Sequence, residues 1–520
     1  MTGCFLCHFT MLENHPRKFG FDNEKYLKEQ TAAILERVNR FNDKLYLEFG
    51  GKILYDYHAA RVLPGFDPNV KMRLLKKLKE KIDVILCIYA GDIERNKIRA
   101  DFGITYDSDV LKTIDDFREW GIEITAVVIT RYQGQLPAKA FKNKLERNGI
   151  TVYTHKNTRG YPTDLDSIVS DDGYGANEQI KTSRPIVIVT GPGPGSGKLA
   201  TCLCNLYHEY KNGVKAGYAK FETFPIWDLP LNHKVNIAYE AATIDLKDSV
   251  LIDHHHFESY NIKTINYNRD IEAFPLLRRI IEKITGEESM YKSPTDMGVN
   301  RASSGITDDA VVQEAAHQEI IRRYFRCAND YMMGLVDRDS LNRAEMIMTR
   351  VLAKVENREV VIPAREAARD AKEGGKGNQG IYCGAAIQLA DGTIITGKNS
   401  PLMHAASSLI LNATKHLAGL PDNMHLLPKN IIDSVTHLKK DILNGKMASL
   451  DLEETLIVLG ISALSNPAAQ MALENLKHLR NCEVHLTHIP TPGDEAGFRK
   501  LQVNLTCDPI FSSRNLFLSK

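Results

Sequence analysis

Apolar residues along this chain recur in two periods. Between residues 23 and 42, Tyr26, Leu27, Ala33, Ile34, Val38 and Phe41 recur at spacings that fit one face of a helix. Residues 45–49 then form a short, mostly apolar run closed by Gly50-Gly51, which reads as a strand. The alternation continues with a Leu- and Lys-rich helix over 70–81 and a strand over 84–90. A helix over 109–119 leads into a strand over 124–130, and a helix over 137–147 into a strand over 150–154. Short apolar strands separated by helices predict a buried parallel sheet with crossover helices. The pattern predicts a loose extension over 1–17 and an N-terminal α/β domain over 18–180, ending in a polar stretch.

A second α/β domain is predicted over 181–342. It opens with PIVIVT (185–190), a glycine-rich turn and a helix to about residue 210. VKAGYAKFE (214–222), SVLIDHHHFESY (249–260) and helices over 270–285 and 307–325 follow. Residues 343–380 read as a helical bridge ending in the glycine-rich linker AKEGGKGNQG. The smaller C-terminal α/β domain, 381–520, begins with a hairpin turning at Asp391-Gly392. Helices over 404–418, 428–443, 452–462 and 466–478 precede the closing strands CEVHLTHI and LQVNLTC.

Composition narrows the function classes. The 520 residues are 43% hydrophobic and 25% charged, the balance of a soluble globular protein rather than a disordered or fibrous one. Lys+Arg total 66 against 65 Asp+Glu, a net charge of +1, so no global field recruits nucleic acid or an acidic membrane. Mean hydropathy is −0.27, and no apolar run approaches the roughly 20 residues of a membrane span. Nine irregularly spaced cysteines make no disulfide framework, and the N-terminus lacks a secretory pattern. The cytoplasm is the expected compartment. Cys4-x-x-Cys7-His8 has haem-attachment spacing without an export signal or further metal ligands, so 1–17 is read as an extension, with Met11 an alternative start.

The strongest chemical signal is VIVTGPGPGSGKLAT, a strand, a glycine-rich turn and a helix in succession. Such a turn wraps backbone N–H groups around an anion, a lysine adds charge, and the helix N-terminus adds its dipole. Gly193, Gly195, Ser196, Gly197 and Lys198 can fill those roles. Pro192 stands at the first glycine position and Leu199 where a hydroxyl normally meets Mg²⁺, leaving Ser196 or Thr201 as substitutes. Pro192 and Pro194 also remove two N–H donors. The competing reading is a tight strand-to-helix turn without a ligand.

Further along, Val250-Leu251-Ile252 reads as a strand ending in Asp253, where P-loop enzymes place an acid that holds Mg²⁺. Asp253 is the predicted metal ligand, and His254 the first of three histidines that follow it. At most two of the three can share a site, and capping of a strand end is the structural alternative. Polar residues also stand past other strand ends, where α/β sites form. These are Glu48, Gly50, Gly51 and Lys52, then Asp56, His58 and Arg61, then Asp92, Arg95 and Arg131. Glu48 and Arg61 are the candidates for orienting a small anionic acceptor. In the C-terminal part, Met403-His404-Ala405-Ala406 after a hairpin is similar to the helix start of nucleoside deaminases. Ala406 replaces their acid and no Cys-x-x-Cys follows, which predicts a metal-free layered fold of that kind.

GFDNEKY (20–26), LYLEFGGKILYDYHAARVLPGFDPNVK (45–71), DIERNKIR (92–99) and TGPGPGSGK (190–198) together resemble an uncharacterised bacterial protein family, classed only as a domain of unknown function. The resemblance covers nearly the whole chain from Lys18 onward. It implies an intracellular α/β protein with a P-loop-like centre and supplies no reaction.

The sequence therefore predicts an enzyme using ATP or GTP with Mg²⁺ for phosphoryl transfer or ligation on a small metabolite. Lys198 would neutralise the phosphates and Asp253 would hold the metal. A metal-dependent phosphohydrolase built on Asp253 and the histidines, and a non-catalytic phospho-ligand sensor, are the rivals. Surplus apolar helices such as 402–417 predict a homo-oligomer, a dimer or tetramer.

Overall fold

The computed structural model describes residues 18–41, 44–99, 102–445 and 448–513; the expected extension with its Cys4-x-x-Cys7-His8 motif lies outside them. The chain divides into two compact units, the first from Phe19 to His317 and the second from Gln318 onward.

In the first unit the strands are, in chain order, β1 (Lys44–Phe49), β2 (Ile82–Tyr89), the minimal hairpin β3 (Ile98–Arg99) and β4 (Ile104–Thr105), β5 (Ala126–Thr130) and β6 (Val152–Thr154). They continue as β7 (Ile186–Thr190), β8 (Ala216–Phe221), β9 (Val250–Ile252), β10 (Ile265–Tyr267) and β11 (Gly298–Val299). Seven of them form one parallel sheet in the order β11-β8-β1-β7-β2-β5-β6. β7 lies between β1 and β2, with Leu45 and Ile82 both opposite Ile186. The expected domain boundary at 180/181 therefore falls inside a single sheet. The polar stretch before β7 is tied down: buried Asp83 of β2 accepts the N–H groups of Ser183 and Arg184, and the Asn205 side chain accepts that of Ile180.

Both faces of this sheet are covered, which is why its strands read as unbroken apolar runs. The helix Lys198–Lys211 lays Cys202, Leu203 and Leu206 against Val187 and Val189. On the other face, Val110, Ile114, Phe141 and Leu145 pack with Leu86, Ile88, Val127 and Ile129. The connection from β1 crosses β7 to reach β2, whereas the one from β7 crosses β1 in the opposite direction to reach β8. Right-handed crossovers running in opposite directions place their helices on opposite faces. The carboxyl ends of the strands beside such a reversal are where ligands enter open α/β sheets.

β9 and β10 pair antiparallel as a separate two-stranded ribbon, with Leu251 and Ile252 exposed. The Asp253 strand is thus not part of the sheet that carries the glycine turn.

The second unit holds β12 (Gly384–Gln388), β13 (Ile394–Lys398), β14 (Glu483–Leu486) and β15 (Asn504–Cys507), in the order β13-β12-β14-β15. Only the β14–β15 pair is parallel. Ala385 and Ile387 face Leu409 and Ile410 of the helix Ala405–Leu417, while Ala386 faces Ala364 of the helix Val361–Glu373. Helices on both faces make three layers. The second of these helices belongs to the region expected as a bridge and linker. It sits so close that a Cβ at Gly384 would lie 2.2 Å from the Ala364 carbonyl oxygen. The glycine-rich end of that region, after Glu373, is a connection, as is the turn segment 351–360.

Candidate phosphate site at the glycine turn

β7 ends at Thr190 and the helix Lys198–Lys211 begins eight residues later, with Gly197 as its N-cap in the left-handed region at φ +92°. No side chain caps this helix, so its first-turn N–H groups keep their capacity for an outside acceptor. Glycine is required at two points of the turn. A Cβ at Gly191 would lie 2.3 Å from the Cys87 carbonyl oxygen, and one at Gly197 would lie 2.7 Å from the Thr130 side chain.

Two cations lean on the turn's own carbonyls. Lys198 Nζ donates to the Gly193 oxygen at 3.3 Å, and the Arg131 guanidinium donates to the Gly195 oxygen. Arg131 follows β5, takes a φ of +50°, and stacks 3.4 Å over the Tyr89 ring centroid at the end of β2. The three adjacent strands β7, β2 and β5 thus contribute to one site. Carbonyl oxygens are weaker partners for a cation than phosphate oxygens, so both side chains can exchange them for an anion.

The hydroxyls expected to meet Mg²⁺ are engaged elsewhere. Ser196 is fully buried and its hydroxyl donates to the Gly193 carbonyl inside the turn. Thr201 is also fully buried and accepts from the Cys87 thiol at 3.4 Å. Burial pushes that thiol up to about 12, with Thr201 and Lys198 pulling the other way and Glu48 adding to the rise. Lys198 and Glu48 therefore both act on the same buried group.

Glu48 is opposite Val189 of β7 on one side and Lys220 of β8 on the other, and accepts from the Tyr218 hydroxyl at 2.8 Å. Gly50 and Gly51 follow it at the strand end. Asp56 caps the short helix Tyr57–Val62 and pairs with buried Lys71 at 2.8 Å. Burial works against its charge, but Lys71 holds its carboxyl below the usual range. His58 packs edge-on to Phe224 and Tyr239, and Arg61 is half-buried in the last turn of the same helix. Buried Asp92 pairs with Arg95.

Asp253 turns out to be a helix cap. One carboxylate oxygen accepts the His256 N–H at 3.1 Å, and the other accepts the Thr295 N–H and hydroxyl at 3.2 and 2.6 Å. The carboxylate is fully buried. His254 is exposed and stacks on His255 at 4.1 Å, while His256 turns inward to the Ser293 hydroxyl. Among the described residues no group of three or more His, Cys, Asp or Glu side chains is arranged to hold a metal ion. The strand end suggests a ligand; in the structure its two oxygens cap the helix and hold Thr295.

One strand end carries chemistry that the sequence reading passed over. Directly after β8, Glu222 lies 2.9 Å from Lys220, which also pairs with Asp270 at 2.7 Å. Burial is the largest influence on Glu222 and raises its carboxyl to about 7; Lys220 opposes the rise and Asp270 adds to it. The rule that singled out Glu48, a carboxylate closing a strand, applies equally to Glu222 in VKAGYAKFE.

In the second unit, His404 caps the helix Ala405–Leu417, and its Nδ1 is 2.7 Å from Asp494. Asp494 also accepts from the Leu452 N–H and the Thr491 hydroxyl. Burial opposes the charge on His404, yet Asp494 raises its pKa. All seven described cysteines are buried and none of them is in a disulfide, and no described helix is long and apolar enough to cross a membrane.

Comparison with known proteins places the chain. A family model described as "Domain of unknown function DUF1846, N-terminal" matches residues 19–352, and its C-terminal companion matches 356–517. A UPF0371 protein of Clostridium botulinum strain Langeland is 58% identical over 501 residues, covering 96% of this chain and 99% of that relative. A UPF0371 protein of Clostridium tetani strain Massachusetts is 57% identical over 500 residues, with the same coverage. Matched along nearly its whole length by both family models and by these relatives, the chain belongs to this uncharacterised family, whose defining domains are of unknown function.

Proposed function

We propose that the glycine turn binds the phosphates of a nucleotide, ATP or GTP with Mg²⁺, and that the protein transfers a phosphoryl group to a small metabolite or uses it for ligation. One observation carries the reading: Lys198 and Arg131 converge from two elements on the carbonyls of an uncapped helix-initiating turn. Both lie at the carboxyl edge of the sheet beside a strand-order reversal. Phosphoryl transfer asks chiefly for positioning and charge neutralisation, which backbone N–H groups and two cations supply. Glu48, on the strand next to β7, would be the acid available to a magnesium that enters with the nucleotide, in place of Asp253. The phosphohydrolase reading has less support, because Asp253 is committed to Thr295 and His256.

Purified protein should show a thermal shift with a Mg-nucleotide, and Lys198→Ala should abolish it. No shift with any nucleotide or with phosphate, at millimolar concentration and with metal present, rules the reading out. Binding without turnover over long incubation would instead make the protein a sensor. A homo-oligomer, joined by a second copy of the C-terminal unit, is part of the proposal. The helix Leu452–Ala463 buries Leu452, Val458 and Leu459 yet also exposes Ile457 and Ile461, with Leu464 just beyond it. Apolar residues on both faces of a helix mark one face for a partner. Light scattering that reports a 58 kDa particle would exclude it.

A further inference from the structure

Three carboxylates and two cations that the proposed phosphate site does not use gather where β8 ends. Lys220 bridges Glu222 and Asp270, while Arg269 Nε lies 3.5 Å from Asp248 and 4.0 Å from Asp270. Negative charge is in excess by one, and Glu48 on the neighbouring strand adds to the field felt by Lys220. The Glu222 and Asp270 side chains are only about a fifth exposed, and excess charge so poorly hydrated is relieved when one carboxyl retains its proton. Glu222 is that group: burial and Asp270 lift its carboxyl to about 7 against the pull of Lys220.

Its placement is fixed by the turn after β1. The Glu222 side chain lies over Gly50, where a Cβ would come within 2.5 Å of the Glu222 Cγ. The hydroxyl of Tyr267 is buried in the same field of Glu222, Asp248 and Arg269 and has no hydrogen-bond partner. The Arg269 guanidinium sits 5.6 Å from the ring centroid of that tyrosine. A buried hydroxyl without a partner is costly, and a ligand that hydrogen-bonds to it removes the cost.

On the sheet only β1 separates β8 from β7. At about 4.8 Å per strand spacing, the glycine-turn strand and the Glu222 strand lie about 10 Å apart. A phosphate chain at the turn and a small acceptor at Glu222 would meet within that span.

Resting on the nucleotide reading above, we infer that Glu222 is the general base of the reaction and that the acceptor is a hydroxyl group held between Glu222 and the Tyr267 hydroxyl. The acceptor proton passes to a Glu222 carboxylate oxygen as the acceptor oxygen bonds the γ-phosphorus of the nucleotide. The bond from that phosphorus to the β,γ-bridging oxygen breaks, and the nucleoside diphosphate leaves with its electron pair. A carboxyl that titrates close to working pH suits this transfer.

Water is the simplest hydroxyl acceptor. The full-length chain is assayed for phosphate release from Mg-ATP and Mg-GTP with no other acceptor present, beside calorimetric binding of the same nucleotides. The expected result is slow release that rises with pH through about 7. Glu222→Gln should lower it about 100-fold with nucleotide affinity unchanged, and Glu222→Asp should retain part of the rate and the pH limb. Carboxyl carbon NMR of the nucleotide-free chain, with the Glu222→Gln protein identifying the signal, should show Glu222 titrating near 7. Nucleotide binding without phosphate release, release unaffected by Glu222→Gln, or a Glu222 titration below about 5 overturns the inference. Absence of nucleotide binding overturns the reading beneath it, and the inference falls with it.

Discussion

The glycine turn and the Asp253 segment both follow an apolar strand and both start a helix, yet their polar groups are disposed in opposite ways. At Asp253 the side chain caps the helix itself: three hydrogen bonds to His256 and Thr295 occupy the buried carboxylate. At the glycine turn no side chain caps the helix, and two cations rest on backbone carbonyls within it. The first arrangement is complete without a ligand, whereas the anion proposed for the second would give its two cations a stronger partner than a carbonyl. Sheet membership explains the contrast. β7 sits between β1 and β2 at a reversal of strand order, while β9 pairs only with β10 in a ribbon whose Leu251 and Ile252 reach solvent.

The sharpest way to break the comparison is to fill the turn. Gly191→Ala drives a methyl toward the Cys87 carbonyl oxygen, 2.3 Å away, and neither backbone can yield cheaply. A loss of about 3 kcal/mol is expected, together with nucleotide binding, and is read as a fall in apparent melting temperature. Next, Asp253→Ala should cost about 2 kcal/mol through the lost cap and the lost bonds to the Thr295 N–H and hydroxyl, the latter keeping only Thr264 as a partner. Its nucleotide response should remain that of the wild type, and a variant that melts normally but no longer binds would return Asp253 to the site.

A comparable effect, spread over pH, separates Glu222 from the satisfied carboxylates. Its folded pKa is raised above the ordinary value of 4.5 to about 7, so the native state holds a proton that the unfolded chain releases. The stability this adds is complete below about 4.5 and lost as pH rises through 7, an amount on the order of 2 kcal/mol. Thermal melts from pH 4.5 to 8 should show wild type losing stability relative to Glu222→Gln as pH increases. Parallel curves would mean that Glu222 ionises normally. Smallest of all, Lys198→Ala should change stability in the absence of ligand by no more than about 0.5 kcal/mol, since Lys198 is partly exposed and bonds only a carbonyl.

Hydrophobic period alone gave away most of the helices and nearly every strand of the large sheet, because strands buried on both faces leave unbroken apolar runs. The glycine turn was legible for a similar reason, since its glycines answer to local geometry. Strand order was not. PIVIVT looks like the opening of a new domain because nothing in its own residues tells that its partners are β1 and β2, more than a hundred residues upstream. For the same reason nothing in residues 250–253 tells that their strand pairs only with β10, apart from the large sheet. Glu222 was missed because its unusual proton affinity comes from burial and from Asp270, which the fold brings in from 48 positions away. The six residues of the helix Tyr57–Val62 are too few to show a helical period.

The central claim is that the glycine turn, and not the Asp253 segment, is the anion site of this protein. Isothermal titration of Mg-ATP, Mg-GTP and inorganic phosphate into wild type, Lys198→Ala, Arg131→Ala and Asp253→Ala tests it in one series. Binding to wild type and to Asp253→Ala, weakened at least about tenfold in Lys198→Ala and in Arg131→Ala, is the predicted result. Equal affinity in wild type and Lys198→Ala, or no heat with any of the three ligands at millimolar concentration, would contradict it.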